Sequence, residues 1–403
     1  MTRKRVVLSS PIADSFRVAK VLGAVDKPNL RAVETTLEFD EPPGVGEDWS
    51  IGLIVGPSGS GKSTIARLCY GLGDPFAWSE DCAVLDNFVP RPFDELAAAL
   101  AAVGFATQTH WLRPYRTLSA GERFRCDLCK TLLDAPGPVA VVDEYTSVVD
   151  RTIAKNASIA LRKAFDRNAF NKKFVAASCH RDVQEWLEPD WTLDAQTGVL
   201  TRGRLRRPAI DVDVIDAPKS LWKDFAPFHY LTGGLNRSAY CFAALIDGEP
   251  VAFAAIMQSE GRRGHKRVHR LVVKPEYQGL GVGGGLLDAL GSLERDRGNV
   301  LEIVTGSICL IRRLDRSPLW RFVRAYPHGR TQRHKGKEAK GSFGRAIVSF
   351  EFRNSVPARE KETGQKKAPT KGRGENRREE NSRRSYSSRA CRARRMNESV
   401  PTA

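Results

Sequence analysis

Short apolar runs punctuate this 403-residue chain, and their spacing predicts its elements. Residues 49–55 form an apolar stretch of strand length, followed by a glycine-rich turn and then by residues 65–72, whose pattern fits the start of a helix. Further runs at 139–142 and 174–177 read as buried strands, residues 82–85 as strand-like, and 93–103 as a small helical segment. From about Pro218 the pattern shifts to shorter strands. Residues 239–246, a turn at Asp247-Gly248 and residues 250–257 predict a β-hairpin. Residues 268–273 predict another strand, leading through a second glycine-rich turn into an apolar helix that ends near Leu293. Residues 301–305 form the next strand and 345–352 a last one that closes the sheet.

The first glycine-rich turn carries phosphate chemistry. Gly56, Ser58, Gly59, Ser60, Gly61, Lys62, Ser63 and Thr64 match a P-loop between a strand and a helix. There the glycines let successive N–H groups point inward at phosphates, and the helix N-terminus adds favourable partial charge. Lys62 reaches the terminal phosphates and the Ser63 hydroxyl holds Mg2+. The 139–142 strand ends in Asp143, a second Mg2+ ligand, and Glu144, placed to polarise an attacking water. Leu118-Ser119-Ala120-Gly121-Glu122 lies 24 residues before Asp143, counted from Ser119, and Asp150 and His180 follow downstream.

In that order these motifs resemble the ATPase engine of the ABC superfamily, whose ATP is sandwiched between two copies. The resemblance implies a homodimer, contact of Ser119 and Gly121 with the partner's γ-phosphate, and a γ-phosphate contact from His180. Ala120 and Glu122 depart from the family's commonest signature. The family's glutamine loop has no clear counterpart, since Asp86 and Asn87 end the strand-like stretch and Gln108 lies close to the signature.

The second half carries different residues. Val273 leads into Lys274-Pro275-Glu276-Tyr277, then Gln278, Gly279, Leu280, Gly281, Val282, Gly283 and Gly284. This strand, glycine turn and helix resemble the acyl-CoA motif of the GNAT acetyltransferases, where backbone amides cradle the pyrophosphate of acetyl-CoA. The resemblance spans residues 218–352 and implies that the 301–305 strand splays from its neighbour to admit the pantetheine. Tyr326 is the nearest match to the family's leaving-group acid. His229 and Tyr230, taken with Arg270-Leu271, loosely resemble the phage Mom family of GNAT-like DNA-modifying enzymes.

The two resemblances imply an α/β fold class: an ABC-type P-loop NTPase domain (1–205), a linker (206–217), an α+β GNAT acyl-CoA transferase domain (218–353) and a basic tail (354–403) expected to be disordered. The tail holds 14 Lys or Arg against 6 Glu, a net +8 of the chain's +17. With a single aromatic residue, Tyr386, it cannot bury enough surface to order itself. Such arms neutralise nucleic-acid phosphates or simply solubilise. The basic stretch 262–267 faces either nucleic acid or the 3′-phosphate of coenzyme A. Eight scattered cysteines suit a reducing cytoplasm. Cys126 and Cys129 lack the further ligands a metal would need. No apolar run is long enough to span a membrane. Expected, then, is a cytoplasmic bifunctional enzyme using ATP, Mg2+ and acetyl-CoA, with nucleic acid as the acyl acceptor. The competing expectations are transfer to a small molecule or protein under a regulatory ATPase, and a non-transferring ATP switch.

Overall fold

The computed structural model describes residues 2–353, apart from 26, 28, 75, 207–208, 230–233, 328–330, 333–339 and 342–345. Strands β1 (Arg3–Pro11) and β2 (Ala32–Asp40) pair antiparallel, with helix α1 (Phe16–Ala24) between them in the chain. Next come β3 (Ile51–Val55), α2 (Lys62–Tyr70), α3 (Phe93–Ala102), the short α4 (Gln108–Trp111), α5 (Ala120–Asp134) and β4 (Val139–Val142). The first half ends with α6 (Arg151–Asp166), β5 (Lys173–Ser178), α7 (Val183–Leu187), β6 (Trp191–Asp194) and β7 (Val199–Arg202).

Five of these strands form one sheet in the order β4-β5-β3-β6-β7, parallel except for β7. Every residue of β3 is buried, as a central strand covered on both faces requires. One face packs Leu53 and Phe174 against Leu100, Leu128 and Leu161 of the helices. The other packs Ile54 and Val175 with Ile65, Trp191 and Phe39. Gly52 sits mid-strand because a Cβ there would lie 2.0 Å from the Trp191 ring.

The second half adds β8 (Asp213–Asp216), α8 (Trp222–Phe225), β9 (Tyr240–Ile246), β10 (Glu249–Gln258), β11 (His265–Val273), α9 (Val282–Asp296), β12 (Val300–Thr305), α10 (Ile308–Arg316) and β13 (Trp320–Tyr326). A two-residue pair, β14 (Thr331–Gln332) with β15 (Lys340–Gly341), precedes β16 (Ile347–Phe352). Seven strands form the sheet β13-β16-β12-β11-β10-β9-β8. β11 and β12 run parallel but pair only over His265–Arg267 against Val300–Glu302, after which they part.

Three details differ from expectation. β8 lies within the stretch read as a linker and pairs antiparallel with β9; four residues bounded by aspartates give too short a pattern to register. The last strand does not close the sheet at an edge but inserts between β12 and β13, antiparallel to both. The stretch read as strand-like at 82–85 enters a 3-10 turn at Val84–Asn87. There the Asn87 amide donates to Ala83 O at 2.9 Å and its carbonyl accepts from Ser79 N at 2.7 Å. Such local side-chain bonds compete with a strand ladder.

Candidate active sites

The parallel strands β3, β4 and β5 end on one edge of the first sheet, where open α/β sheets bind ligands. Their register sets Val55 beside Ser178 and Val142 beside Ala176, which brings the P-loop, Asp143 and His180 to a common edge. The loop turns on Gly59 and Gly61, both left-handed at φ +80° and +89°. Gly61 also caps α2, whose first turn holds Ser63 and Thr64. Lys62 is buried and its ammonium donates to Pro57 O at 2.8 Å. The Ser60 hydroxyl is buried without a partner. A buried lysine, an orphaned hydroxyl and a loop turned on two left-handed glycines fit an anionic phosphate. The hydroxyl of Ser63 and carboxylate of Asp143 are the hard oxygen donors that Mg2+ takes.

Beyond β4, Asp143 accepts from the Glu144 amide at 2.9 Å, and the Ser147 hydroxyl donates to Glu144 at 2.7 Å. Glu144 and Thr146 stand at φ +48° and +69°, a strained backbone for non-glycine residues that concentrates at functional loops. Tyr145 N donates to Ala177 O at 2.8 Å, and the Ser178 hydroxyl donates to Tyr145 O while accepting from His180 N. These bonds stitch the His180 loop to the one carrying Glu144.

Ser119 caps α5 in a capping box: its hydroxyl accepts from Glu122 N, and Glu122 accepts from Ser119 N at 2.9 Å. Glu122, a departure from the family signature, thus has a local task. Burial would raise its carboxyl, but bonds from Ser119 and from His110 hold it below the ordinary carboxylate value. Gly121 presses on α6, since a Cβ there would lie 2.6 Å from Ile153. Asp150 caps α6 by accepting from Ile153 N at 2.9 Å, so two capped helix N-termini lie side by side.

In the second sheet, the parting of β11 from β12 opens a cleft of ≈ 310 Å³. Val273, Gln278, Gly279, Gly281, Val282, Gly283 and Gly284 line it, with His229, His269 and Arg313. Leu280 is buried beneath the turn. Gly281 caps α9 at φ +86°, and a Cβ there would meet no protein atom within 4 Å. Gly283 lets β11 close in, since its Cβ would lie 2.8 Å from Val273, and Gly284 leaves room for Arg313. A glycine turn at the N-terminus of a 15-residue helix, beside an arginine, fits a pyrophosphate.

Not all expected residues reach this cleft. Tyr326 ends the edge strand β13, away from the cleft lining, with Arg324 over its ring at 5.4 Å. Tyr230 and the tail 354–403 lie outside the described residues. The 262–267 stretch spends Arg262 internally, on Glu302 at 2.7 Å and Glu351 at 3.1 Å. Gln108 lines this cleft and not the P-loop edge. Cys126 and Cys129 are core residues whose thiols burial pushes well up, which keeps them protonated.

Three groups escaped the sequence. Arg313 looked like any cation on an amphipathic helix, yet it pairs with Asp288 beside the glycine turn. His269 sits mid-strand; burial, with Arg270 and Arg267, drives its pKa down to about 4, and its Nε2 accepts from Asn236 N at 3.3 Å. Ala106 and Thr107 belong to the first half of the chain and yet wall this cleft.

The cytochrome c biogenesis ATP-binding export protein CcmA of Rhodospirillum rubrum is 30% identical over 187 residues, spanning 38% of this chain and 76% of that protein. The chain belongs to the ABC superfamily. The sulfate/thiosulfate import ATP-binding protein CysA of Xylella fastidiosa is 27% identical over 240 residues, and the match covers 49% of this chain and 64% of that relative. Among solved structures, the dimeric ATP-binding cassette MJ0796 bound to ADP and Pi matches at 14% identity and TM-score 0.35, over 51% of this chain and 99% of that one. A family model described as acetyltransferase (GNAT) domain matches residues 237–315. The polypeptide therefore joins an ABC ATPase domain to a GNAT N-acetyltransferase domain. Among the described residues, no helix is long and apolar enough to cross a membrane.

Proposed function

We propose that this protein couples ATP binding and hydrolysis in an ABC-type homodimer to acyl transfer from acetyl-CoA onto nucleic acid. The observation that carries the coupling is the shared wall: Ala106, Thr107 and Gln108 of the ABC domain line the same cleft as the GNAT glycine turn. We take residues 1–205 as the ABC domain, and β8 in the second sheet supports starting the GNAT domain near Asp213 instead of residue 218.

In the ABC domain, Lys62 and the loop amides would hold the phosphates, Ser63 and Asp143 would hold Mg2+, and Glu144 and His180 would orient water at the γ-phosphate. Ser119, Gly121 and Asp150 present the paired helix N-termini to the second copy's nucleotide. In the GNAT domain the amides of 278–284 and Arg313 hold the cofactor's diphosphate. Bound acetyl-CoA supplies an activated acyl thioester. With acetyl-CoA bound, His229 of the cleft lining would accept the acceptor amine's proton as an N–C bond replaced the thioester S–C bond, and solvent would supply the proton to the leaving thiol.

The nucleic-acid acceptor is supported by cation–aromatic pairs on this sheet, one of them at the cleft. Lys266 lies 5.5 Å over the exposed Tyr240 ring, and Arg270, a lining residue, lies 5.9 Å from Trp222, which meets His229 edge-on at 5.7 Å. Rings beside cations are the elements on which unpaired bases stack. A reducing, cytoplasmic setting is supported by the seven described cysteines, all free thiols.

The test is incubation with acetyl-labelled coenzyme A, Mg-ATP and a desalted host extract, followed by fractionation. ATP-dependent label in DNA or RNA is expected. Label in protein or small molecules would reassign the acceptor, and no label with ATPase intact would overturn the transfer.

A further inference from the structure

The glycine turn of the GNAT domain hangs from the ABC helices. Arg125, on α5 and six residues beyond Ser119, is 2% exposed. Its Nη1 donates to Pro275 O at 2.8 Å and its Nη2 to Glu276 O at 3.2 Å. From α6, the Asn156 amide donates to Glu276 O at 3.0 Å and Lys163 Nζ to Leu280 O at 2.9 Å. Gln278 closes the joint from the other side: its carbonyl accepts from Ala106 N at 3.0 Å and its amide donates to Thr107 Oγ1 at 2.9 Å. Helices α5 and α6 are the two whose N-termini carry Ser119 and Asp150.

A guanidinium with a rigid, planar set of donors, buried and aimed at two carbonyls, cannot shift without taking those carbonyls with it or leaving its charge unpaired. Nucleotide that engages the N-terminus of α5 therefore biases the turn 275–280, because both belong to one packed unit. An effector alters a distant ligand only through such differential contacts.

We propose that Arg125 is a positioning residue for the acyl-CoA site, through which the nucleotide state of the ABC domain sets acyl-CoA affinity. This rests on the assignment of an ATP site and an acetyl-CoA site above. ATP held at α5 fixes the turn in its cradling form, so acyl-CoA binds more tightly in the ATP-bound state. Linkage makes the effect reciprocal, with acyl-CoA tightening ATP by the same factor.

The experiment is calorimetric titration of acetyl-CoA into full-length Glu144→Gln protein, with and without Mg-ATP. It is repeated in the Arg125→Met and Asn156→Ala backgrounds, and ATP is then titrated with and without acetyl-CoA. A tightening of at least about fivefold is expected, equal in both directions, since allosteric couplings typically run from about 5- to 150-fold. Arg125→Met should bring the factor near one, with any loss of acetyl-CoA affinity falling mainly on the ATP-bound state. Asn156→Ala should lower it in part, and tests the joint independently if Arg125→Met does not fold. A factor of one with both ligands binding overturns the proposal and leaves the two sites standing. Absence of acetyl-CoA binding overturns both. Equal weakening by Arg125→Met in both nucleotide states assigns the arginine a merely structural role and refutes the linkage.

Discussion

Gly279 and Gly281 make a matched pair that isolates the contact between the two domains. Both are left-handed, at φ +85° and +86°. At Gly281 an added methyl meets nothing within 4 Å, whereas at Gly279 it would lie 2.7 Å from Ala160 Cβ and 3.0 Å from Gly104 Cα. Alanine at either site carries the left-handed cost of about 1–2 kcal/mol, partly offset by about 0.4–1 kcal/mol from a less flexible unfolded chain. Gly281→Ala should therefore destabilise by about 1 kcal/mol. Gly279→Ala adds overpacking of about 1–3 kcal/mol, because neither a β-methyl nor a backbone Cα can swing aside. Gly104→Ala should behave like Gly279→Ala, since its own Cβ would lie 2.8 Å from Gln278 O. Urea midpoints read by tryptophan fluorescence give the three values. In the Gly104→Ala/Gly279→Ala double variant the loss should be less than the sum, because one methyl already forces the loops apart. Equal losses for Gly279→Ala and Gly281→Ala, or strict additivity of the double variant, would mean that the two loops do not touch.

Glu144→Gln should lower ATP turnover by about 10²–10⁴-fold, the range of a general base, and trap an ATP-bound dimer on gel filtration; turnover near wild type would remove Glu144 from the mechanism. Replacing Gly281 and Gly283 together by valine should abolish acetyl-CoA binding in calorimetry while ATPase activity persists; retained binding would place the cradle elsewhere. His269 takes its proton at about 4 in the fold against 6.5 when free, so the unfolded chain binds more protons between those values and stability falls as pH drops through that window. At about 1.4 kcal/mol per pH unit, discounted for partial exposure, about 1–2 kcal/mol should disappear between pH 7 and pH 4, and His269→Asn should flatten the urea-midpoint profile. Gly52→Ala, which would push into a buried Trp191 ring at 2.0 Å, should cost about 3 kcal/mol in the same assay.

The elements that bear the chemistry were legible because local rules set them. The 139–142 strand stands where its apolar run lies. The hairpin turns at Asp247-Gly248, both left-handed at φ +52° and +81°, as that dipeptide demands. Ser119 and Asp150 cap helices, as their side chains favour. What the sequence hid is long-range. Arg125 reads as one more helix cation until it meets Pro275, 150 positions away. Gly104 and Gly279 signal turns, but nothing in either turn says that they touch. β8 escaped because an edge strand of four residues has no room to show alternation.

The same long-range contacts bear on which partners the ABC domain can accept. An ABC engine can also serve a membrane partner made by a separate chain. In the fold, the small helical region around α3 is already occupied. Arg312 of α10 lies 3.6 Å from Asp94, the Cys309 thiol faces Ala97 O at 4.0 Å, and the 104–107 loop is held by Gln278. A separate chain docking on that face would have to displace these bonds and expose Ile308 and Cys309, which pack against the ABC core. An intramolecular partner has the advantage of effective concentration over any second chain. The GNAT domain therefore covers the face of the ABC domain around α3, with Gln278 of its glycine turn bonded to the 104–107 loop.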